Sequence, residues 1–186
     1  AGYPLVKDPA DARIIIVNTC GFIQSAKEEA IEAILDMADY KNDRCEILVM
    51  AGCLAERYSD EVVEQLPELD LVVGVKSYYE VLNALDAALF EAESRKVYRS
   101  DLDKDALKHL RGKRNPSTDV YAYLKIAEGC YHNCAYCAIP LIRGRHISRP
   151  MEDLIEEAET LVASGYQELV MEAQDLSAYG LDLYGE

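Results

Sequence analysis

Apolar runs and amphipathic stripes alternate along the first half of the chain. Arg13-Ile14-Ile15-Ile16-Val17-Asn18 is almost continuously β-branched, which predicts a strand buried on both faces, as in a parallel sheet. It ends in Thr19-Cys20-Gly21-Phe22. Ser25 and Glu28 then have the spacing of a capping box. Ala26, Ala30, Ile31, Ile34, Leu35 and Ala38 form an apolar stripe at helical spacing, so an amphipathic helix is predicted over 25–41. Glu46-Ile47-Leu48-Val49-Met50 predicts a second strand, running into Ala51-Gly52-Cys53, with a short helix over 54–66. Leu71-Val72-Val73 predicts a third strand and 77–92 a third helix. Strand and helix repeating in this order argue for a parallel, wound α/β sheet.

The pattern changes at 93–119. Arg95, Lys96, Asp101, Asp103, Lys104 and Asp105 alternate in sign, and Lys108-His109-Leu110-Arg111-Gly112-Lys113-Arg114-Asn115-Pro116 is a basic run closed by proline. This stretch is read as a solvated connection between two domains, 1–92 and 120–186. Beyond it, Val120-Tyr121-Ala122-Tyr123-Leu124-Lys125-Ile126 predicts a strand, broken by Glu128-Gly129. Pro150 is placed to open a helix. Leu154, Ile155, Ala158, Leu161 and Val162 give that helix an apolar face, and Gly165 stops it after Ser164. Glu168-Leu169-Val170-Met171-Glu172-Ala173 predicts the next strand, ending at Gln174-Asp175. Strand, loop, helix, strand is the opening of a β/α barrel, whose active-site groups lie at the C-terminal ends of its strands. One such unit and a second strand do not close a barrel, so the second domain is expected to be truncated.

Charge and composition narrow the picture. The chain has 186 residues, 34 acidic against 19 basic, for a net charge of −15. Nucleic-acid affinity rests largely on Lys and Arg neutralising phosphates, so this chain is a poor general RNA binder, and a basic protein partner suits it better. No run of eighteen apolar residues exists to span a membrane, and no basic-then-apolar start marks a secretory leader. A cytoplasmic setting follows as the expectation. The first residue is Ala1 rather than Met, which suggests a fragment or a processed product. Six cysteines without an export signal point to reduced thiols serving a metal or catalysis.

The cysteines carry the candidate chemistry. Cys130, Cys134 and Cys137 share one loop, with three residues between the first pair and two between the second. Three thiolates there can converge on one inorganic centre, and they supply three ligands where a closed zinc site wants four. A zinc site completed by His132 or a distant ligand is the alternative; a disulfide is weaker, because three clustered cysteines cannot pair off among themselves. Cys20 and Cys53 each follow directly on a predicted strand, and ligand crevices in open α/β sheets lie at those ends. Taken singly, each reads as a small buried thiol; together, at matching strand ends, they read as ligands of one site. Cys45 opens its strand, at the opposite edge, and reads as structural.

The spacing of the Cys130 loop, with an aromatic Tyr136 before its last cysteine, resembles the radical S-adenosylmethionine (radical SAM) signature. That resemblance implies a four-iron, four-sulfur cluster on Cys130, Cys134 and Cys137. Its fourth iron is chelated by S-adenosylmethionine, whose cleavage yields a 5′-deoxyadenosyl radical. The cofactor then carries the chemistry while the protein binds and orients. Asn18-Thr19-Cys20-Gly21-Phe22, Ala51-Gly52-Cys53-Leu54-Ala55-Glu56-Arg57-Tyr58, Lys125-Ile126-Ala127-Glu128-Gly129-Cys130, Ile142-Arg143-Gly144-Arg145 and Ala173-Gln174-Asp175-Leu176-Ser177-Ala178-Tyr179-Gly180 are together similar to the methylthiotransferase branch of that family. The similarity covers nearly the whole chain. It implies a methylthiotransferase domain at 1–92, incomplete at its start, a linker at 93–119, and a radical SAM core at 120–186. It also implies a second four-iron cluster, for which Cys20 and Cys53 match two of three ligands, the third lying upstream. Tyr136 would pack near the adenine, and Gln174 and Asp175 would reach cofactor or substrate, with a plain strand-end hydrogen bond as the other reading of Gln174. Arg143, Arg145 and Arg149 are read either as meeting the cofactor carboxylate or substrate, or as a solvated basic face.

Within this branch, one group modifies the β-carbon of an aspartate in a small-subunit ribosomal protein and another an adenosine of tRNA. Ala173-Gln174-Asp175 resembles the ribosomal-protein group, where the tRNA group usually reads Gly-Gln-Asn. The implied reaction places a methylthio group on an unactivated carbon that no side-chain base could deprotonate, hence the radical. It needs a basic ribosomal protein, an electron donor and a sulfur source, with tRNA as the weaker substrate. A non-catalytic iron–sulfur or zinc-binding scaffold is the alternative of another class.

Overall fold

The computed structural model describes residues 3–90, 97–100 and 120–185. The chain divides into two compact units, Ala1–Asp101 and Leu102–Glu186. Most of the expected 93–119 connection, with its basic run, lies outside the described residues.

In the first unit, β1 (Ile14–Thr19), β2 (Ile47–Gly52), β3 (Leu71–Gly74) and β4 (Val97–Tyr98) form one four-stranded sheet in that order, all pairs parallel. Helices α1 (Gln24–Ala38), α2 (Cys53–Gln65) and α3 (Val81–Phe90) separate them in sequence. β2 explains why an unbroken apolar run is needed. Successive side chains point to opposite faces, so Leu48 and Met50 join Ala30 and Ile34 of α1 and Leu54, Ala55 and Val62 of α2. Ile47 and Val49 pack on the other face with Ala84 and Leu85 of α3. Every residue of β2 is buried. Full burial of one such side chain contributes about 1.5–3 kcal/mol.

The α/β class with a parallel sheet is as the pattern predicts, but several details differ. β1 is an edge strand among the described residues, so it is not buried on both faces: Ile15 is buried, while Ile16 is 47% exposed. The Ser25–Glu28 capping box is not formed, because α1 begins one residue earlier, at Gln24, with Ile23 at the cap and no side chain bonding to it. Gln24 instead donates from Nε2 to Glu28 Oε1 at 3.0 Å, one turn on. Val97-Tyr98, expected within the connection, adds a strand beside β3.

In the second unit, β5 (Tyr121–Lys125) pairs in parallel with β8 (Glu168–Glu172), and α5 (Met151–Ala163) lies between them in sequence. Leu124, Ile126, Ala127 and Leu154 form the core. Pro150 is the residue before α5 rather than its first, and Gly165 follows the helix with φ +100°. Two two-residue strands, β6 (Ala127–Glu128) and β7 (Ile147–Ser148), pair antiparallel, and the short helices α4 (Ile139–Arg143) and α6 (Leu181–Tyr184) complete the unit. No described helix is long and apolar enough to cross a membrane.

Candidate functional site

The cysteine loop of the second unit hangs from β6 and β7. Ala127 stands opposite Ser148 and Glu128 opposite Ile147, so residues 129–146 leave and return through one closed base. Cys130 N–H donates to Gly144 O at 3.2 Å, across that base, and Cys137 N–H to Cys134 O at 3.0 Å. Gly129 makes the fit possible. Its φ is +77°, and a Cβ there would stand 2.3 Å from Arg145 O, so both the conformation and the space require glycine.

Two side chains from the end of β8 reach this loop. Gln174 Oε1 accepts Gly129 N–H at 2.8 Å. Asp175 Oδ2 lies 3.1 Å from His132 Nε2, with the Asp175 side chain largely buried and that of His132 mostly exposed. Hydrogen bonding from the Ser177 hydroxyl holds the Asp175 carboxyl below its ordinary pKa, opposed by burial and aided by His132. His132 N–H in turn lies 3.4 Å from Cys130 Sγ. Gln174 and Asp175 thus contact the cysteine-bearing loop at Gly129 and His132.

Below the loop sits a buried carboxylate that the sequence reading did not single out. Glu128 pairs with Lys125, and Arg143 Nη1 lies 3.1 Å from Glu128 Oε1. Arg149 is 1% exposed; it donates from Nη1 to Lys125 O at 2.8 Å and pairs with Glu157 of α5 at 2.6 Å. Neither Arg143 nor Arg149 is a solvated basic face; both brace the scaffold, because each has an internal carboxylate partner. Arg145 alone of the three is exposed, with its guanidinium carbon 5.9 Å from the Tyr131 ring centroid. A second buried group was also missed. Ser148 Oγ accepts Gly180 N–H at 2.9 Å and lies 3.2 Å from His146 Nε2, while Ser148 N–H donates to Asp182 Oδ2 at 3.0 Å. The sequence signal for it was slight: Asp182 is a lone carboxylate between Leu181 and Leu183.

Cys134 is exposed, Cys130 and Cys137 are half-buried, and the Tyr136 side chain beside them is 93% exposed. Among the described residues, no three His, Cys, Asp or Glu side chains converge on the scale of a single metal ion. Thiolates that each hold a different iron of a cluster need no such convergence, since one cluster spans several metal atoms. The donor set, three thiols on one accessible loop, fits that group.

In the first unit, Thr19 and Gly52 are register partners at the ends of β1 and β2, so Cys20 and Cys53 follow adjacent strand ends. Their backbones touch closely. A Cβ on Gly21 would stand 2.9 Å from the Cys53 carbonyl, and one on Gly52, at φ +109°, 2.4 Å from Thr19 O. Thr19 Oγ1 donates to Ala51 O at 2.7 Å, and Arg57 reaches Gly21 O at 3.4 Å. Cys20 is exposed and Cys53 buried. Cys45 is buried at the start of β2, with Sγ donating to Ile47 O at 3.4 Å, the structural role expected of it.

Residues 1–74 match a family described as the uncharacterized protein family UPF0004. The ribosomal protein uS12 methylthiotransferase RimO of Acetivibrio thermocellus is 48% identical over 192 aligned residues, spanning 99% of this chain and 42% of that protein. The proteins of the same name from Caldicellulosiruptor saccharolyticus and Clostridium tetani are 43% and 44% identical over 99% and 98% of the chain. Over nearly its whole length the chain is similar to these methylthiotransferases. It spans about two-fifths of the length of these relatives, 40–42%. A solved radical S-adenosylmethionine methyltransferase, TsrM from Kitasatospora setae, bound to tryptophan and a SAM analog, shares the fold over 94% of this chain and 39% of its own. The TM-score is 0.61 at 12% identity. That likeness is one of fold alone.

Proposed function

We propose that this chain is the part of a radical SAM methylthiotransferase that holds its cofactors, and that the whole protein adds a methylthio group to the β-carbon of an aspartate in a small-subunit ribosomal protein. The observation that carries the reading is sequence identity of 43–48% to proteins named for that activity, over 98–99% of the chain. The acidic balance of the chain suits a basic ribosomal protein. Cytoplasmic localisation, an electron donor and a sulfur source belong to the same reading.

Cys130, Cys134 and Cys137 would hold a four-iron cluster, leaving one iron to S-adenosylmethionine; Cys20 and Cys53 would give two ligands to a second cluster. The first group supplies one-electron cleavage of the sulfonium when bound. The protein's own residues orient it. Gly129 lets the loop turn tightly, Gln174 and Asp175 fix the loop from β8, and Glu128 pairs with both Lys125 and Arg143 at its base. The exposed Tyr136 ring stands ready to cover the adenine. In domain terms, 1–92 is the methylthiotransferase domain, 93–119 the connection, and 120–186 the first strands and helix of a β/α barrel, with its site at the C-terminal strand ends.

The test is turnover by the complete protein, reconstituted anaerobically with iron and sulfide and given reductant and S-adenosylmethionine. A ribosomal protein uS12 peptide is expected to gain the mass of one methylthio group, and Cys130→Ala/Cys134→Ala/Cys137→Ala to abolish it. Gain on tRNA and none on the peptide would overturn the substrate; iron-free protein would overturn the cofactor.

A further inference from the structure

Asp175 does not stand alone at the end of β8. Its Oδ1 is taken by Ser177, at 3.1 Å from the backbone N–H and 2.7 Å from the hydroxyl, which turns Oδ2 towards His132 Nε2 at 3.1 Å. His132 sits between the first two cysteines, and its backbone N–H is the group that meets Cys130 Sγ, at 3.4 Å. The His132 side chain is 68% exposed, so burial does not fix it; the carboxylate, 11% exposed and locked by Ser177, does. A hydrogen bond to a ligating sulfur stabilises negative charge there and raises the potential of the cluster it holds.

We propose that Asp175 is a positioning residue for the cysteine loop: through His132 it keeps a backbone N–H on Cys130 sulfur and thereby sets the reduction potential of the centre on that loop. Its role is thus indirect, exerted through the contact with His132. The inference rests on the reading of Cys130, Cys134 and Cys137 as cluster ligands.

The test is an anaerobic redox titration of the complete, iron-reconstituted protein, followed by the electron paramagnetic resonance signal of the reduced cluster. A Cys20→Ala/Cys53→Ala background leaves only the loop cluster to titrate. Asp175→Ala and His132→Ala are each expected to shift the reduced-to-oxidised ratio about tenfold towards oxidised, a fall of about 59 mV for a one-electron couple. The double variant should fall no further, because two residues acting through one contact are not additive. His132→Gln, which can still offer a donor to Asp175, should restore the parent potential. Additive shifts, or no shift in either single variant, would overturn the proposal. If an alanine variant loses its iron, His132→Gln with normal iron and potential supports the proposal, and His132→Gln without iron or with a lowered potential sinks it. A parent protein that holds no iron would remove the cluster reading itself, and this inference with it.

Discussion

The amide oxygen of Gln174, just past the end of β8, accepts the backbone N–H of Gly129, just past the end of β6, at 2.8 Å. Gly129 is buried, so that N–H has no ready access to water. Removing the acceptor leaves a buried donor unpaired, which costs about 1–3 kcal/mol. Gln174→Ala is therefore expected to lower stability by about that amount and to weaken iron retention. Gln174→Glu, which keeps an oxygen acceptor, should cost less. Denaturant unfolding and iron content of the two variants check this; equal losses would mean that the contact is not what matters at Gln174.

Gly129 itself is predicted to be intolerant. Alanine there would carry a left-handed φ, and its Cβ would overlap Arg145 O at 2.3 Å and Gly144 O at 2.7 Å. The conformation alone costs about 1–3 kcal/mol, and the overlap must push β6 and β7 apart. Gly129→Ala should lose loop-bound iron while the first unit keeps its fold. Normal iron content would show that the base of the loop is looser than its contacts imply.

Glu128 is the third test. It is 6% exposed and carries two cations, Lys125 and Arg143. Breaking a buried ion pair by removing one partner costs about 3–5 kcal/mol, because the remaining charges are left uncompensated. Glu128→Gln should approach that loss in denaturant unfolding. A loss below about 1 kcal/mol would class the cluster with ordinary surface pairs.

How much of this was legible follows from the kind of signal each residue leaves. β2 was readable because burial on both faces demands an unbroken apolar run. The cysteine loop was readable because ligand spacing is local in sequence. The Gln174–Gly129 and Asp175–His132 contacts were not, since they join residues 45 and 43 positions apart (174 − 129 and 175 − 132) through parallel pairing. The edge position of β1 was hidden too, because Ile14-Ile15-Ile16 reads the same in a central strand. Arg149 misled for the opposite reason: its partner Glu157 lies in α5, on a helix whose acidic residues all look alike in sequence.

Acid should destabilise the second unit through Asp182. Burial pushes that carboxyl up, but hydrogen bonding from Ser148, with help from His146, outweighs it, and the net shift is downward. The unfolded chain then binds a proton more readily than the native state. The contribution of Asp182 is fully present above the ordinary carboxylate pKa and is lost as pH falls through the lowered native value. Asp182→Asn is expected to be less stable than the parent at neutral pH and to converge with it in acid. A constant gap between the two in denaturant unfolding from neutral pH to acid would contradict this.

The cysteines should separate by reactivity. The thiolate is the reacting form, so exposure and pKa set the rate of alkylation. Cys20 and Cys134 are exposed; Cys45 is buried, with its thiol pushed up chiefly by that burial and bonded to Ile47 O. In the metal-free protein, alkylation is expected first at Cys20 and Cys134 and last at Cys45, read by peptide mass mapping over time. Loading with iron should then protect Cys130, Cys134 and Cys137 together, since one cluster would hold all three. Cys45→Ala should leave iron content unchanged and lower stability by about 1 kcal/mol, the scale of a small cavity. Protection of Cys45 by iron would instead make it a ligand, which its place at the N-terminal end of β2, opposite Cys20 and Cys53, argues against.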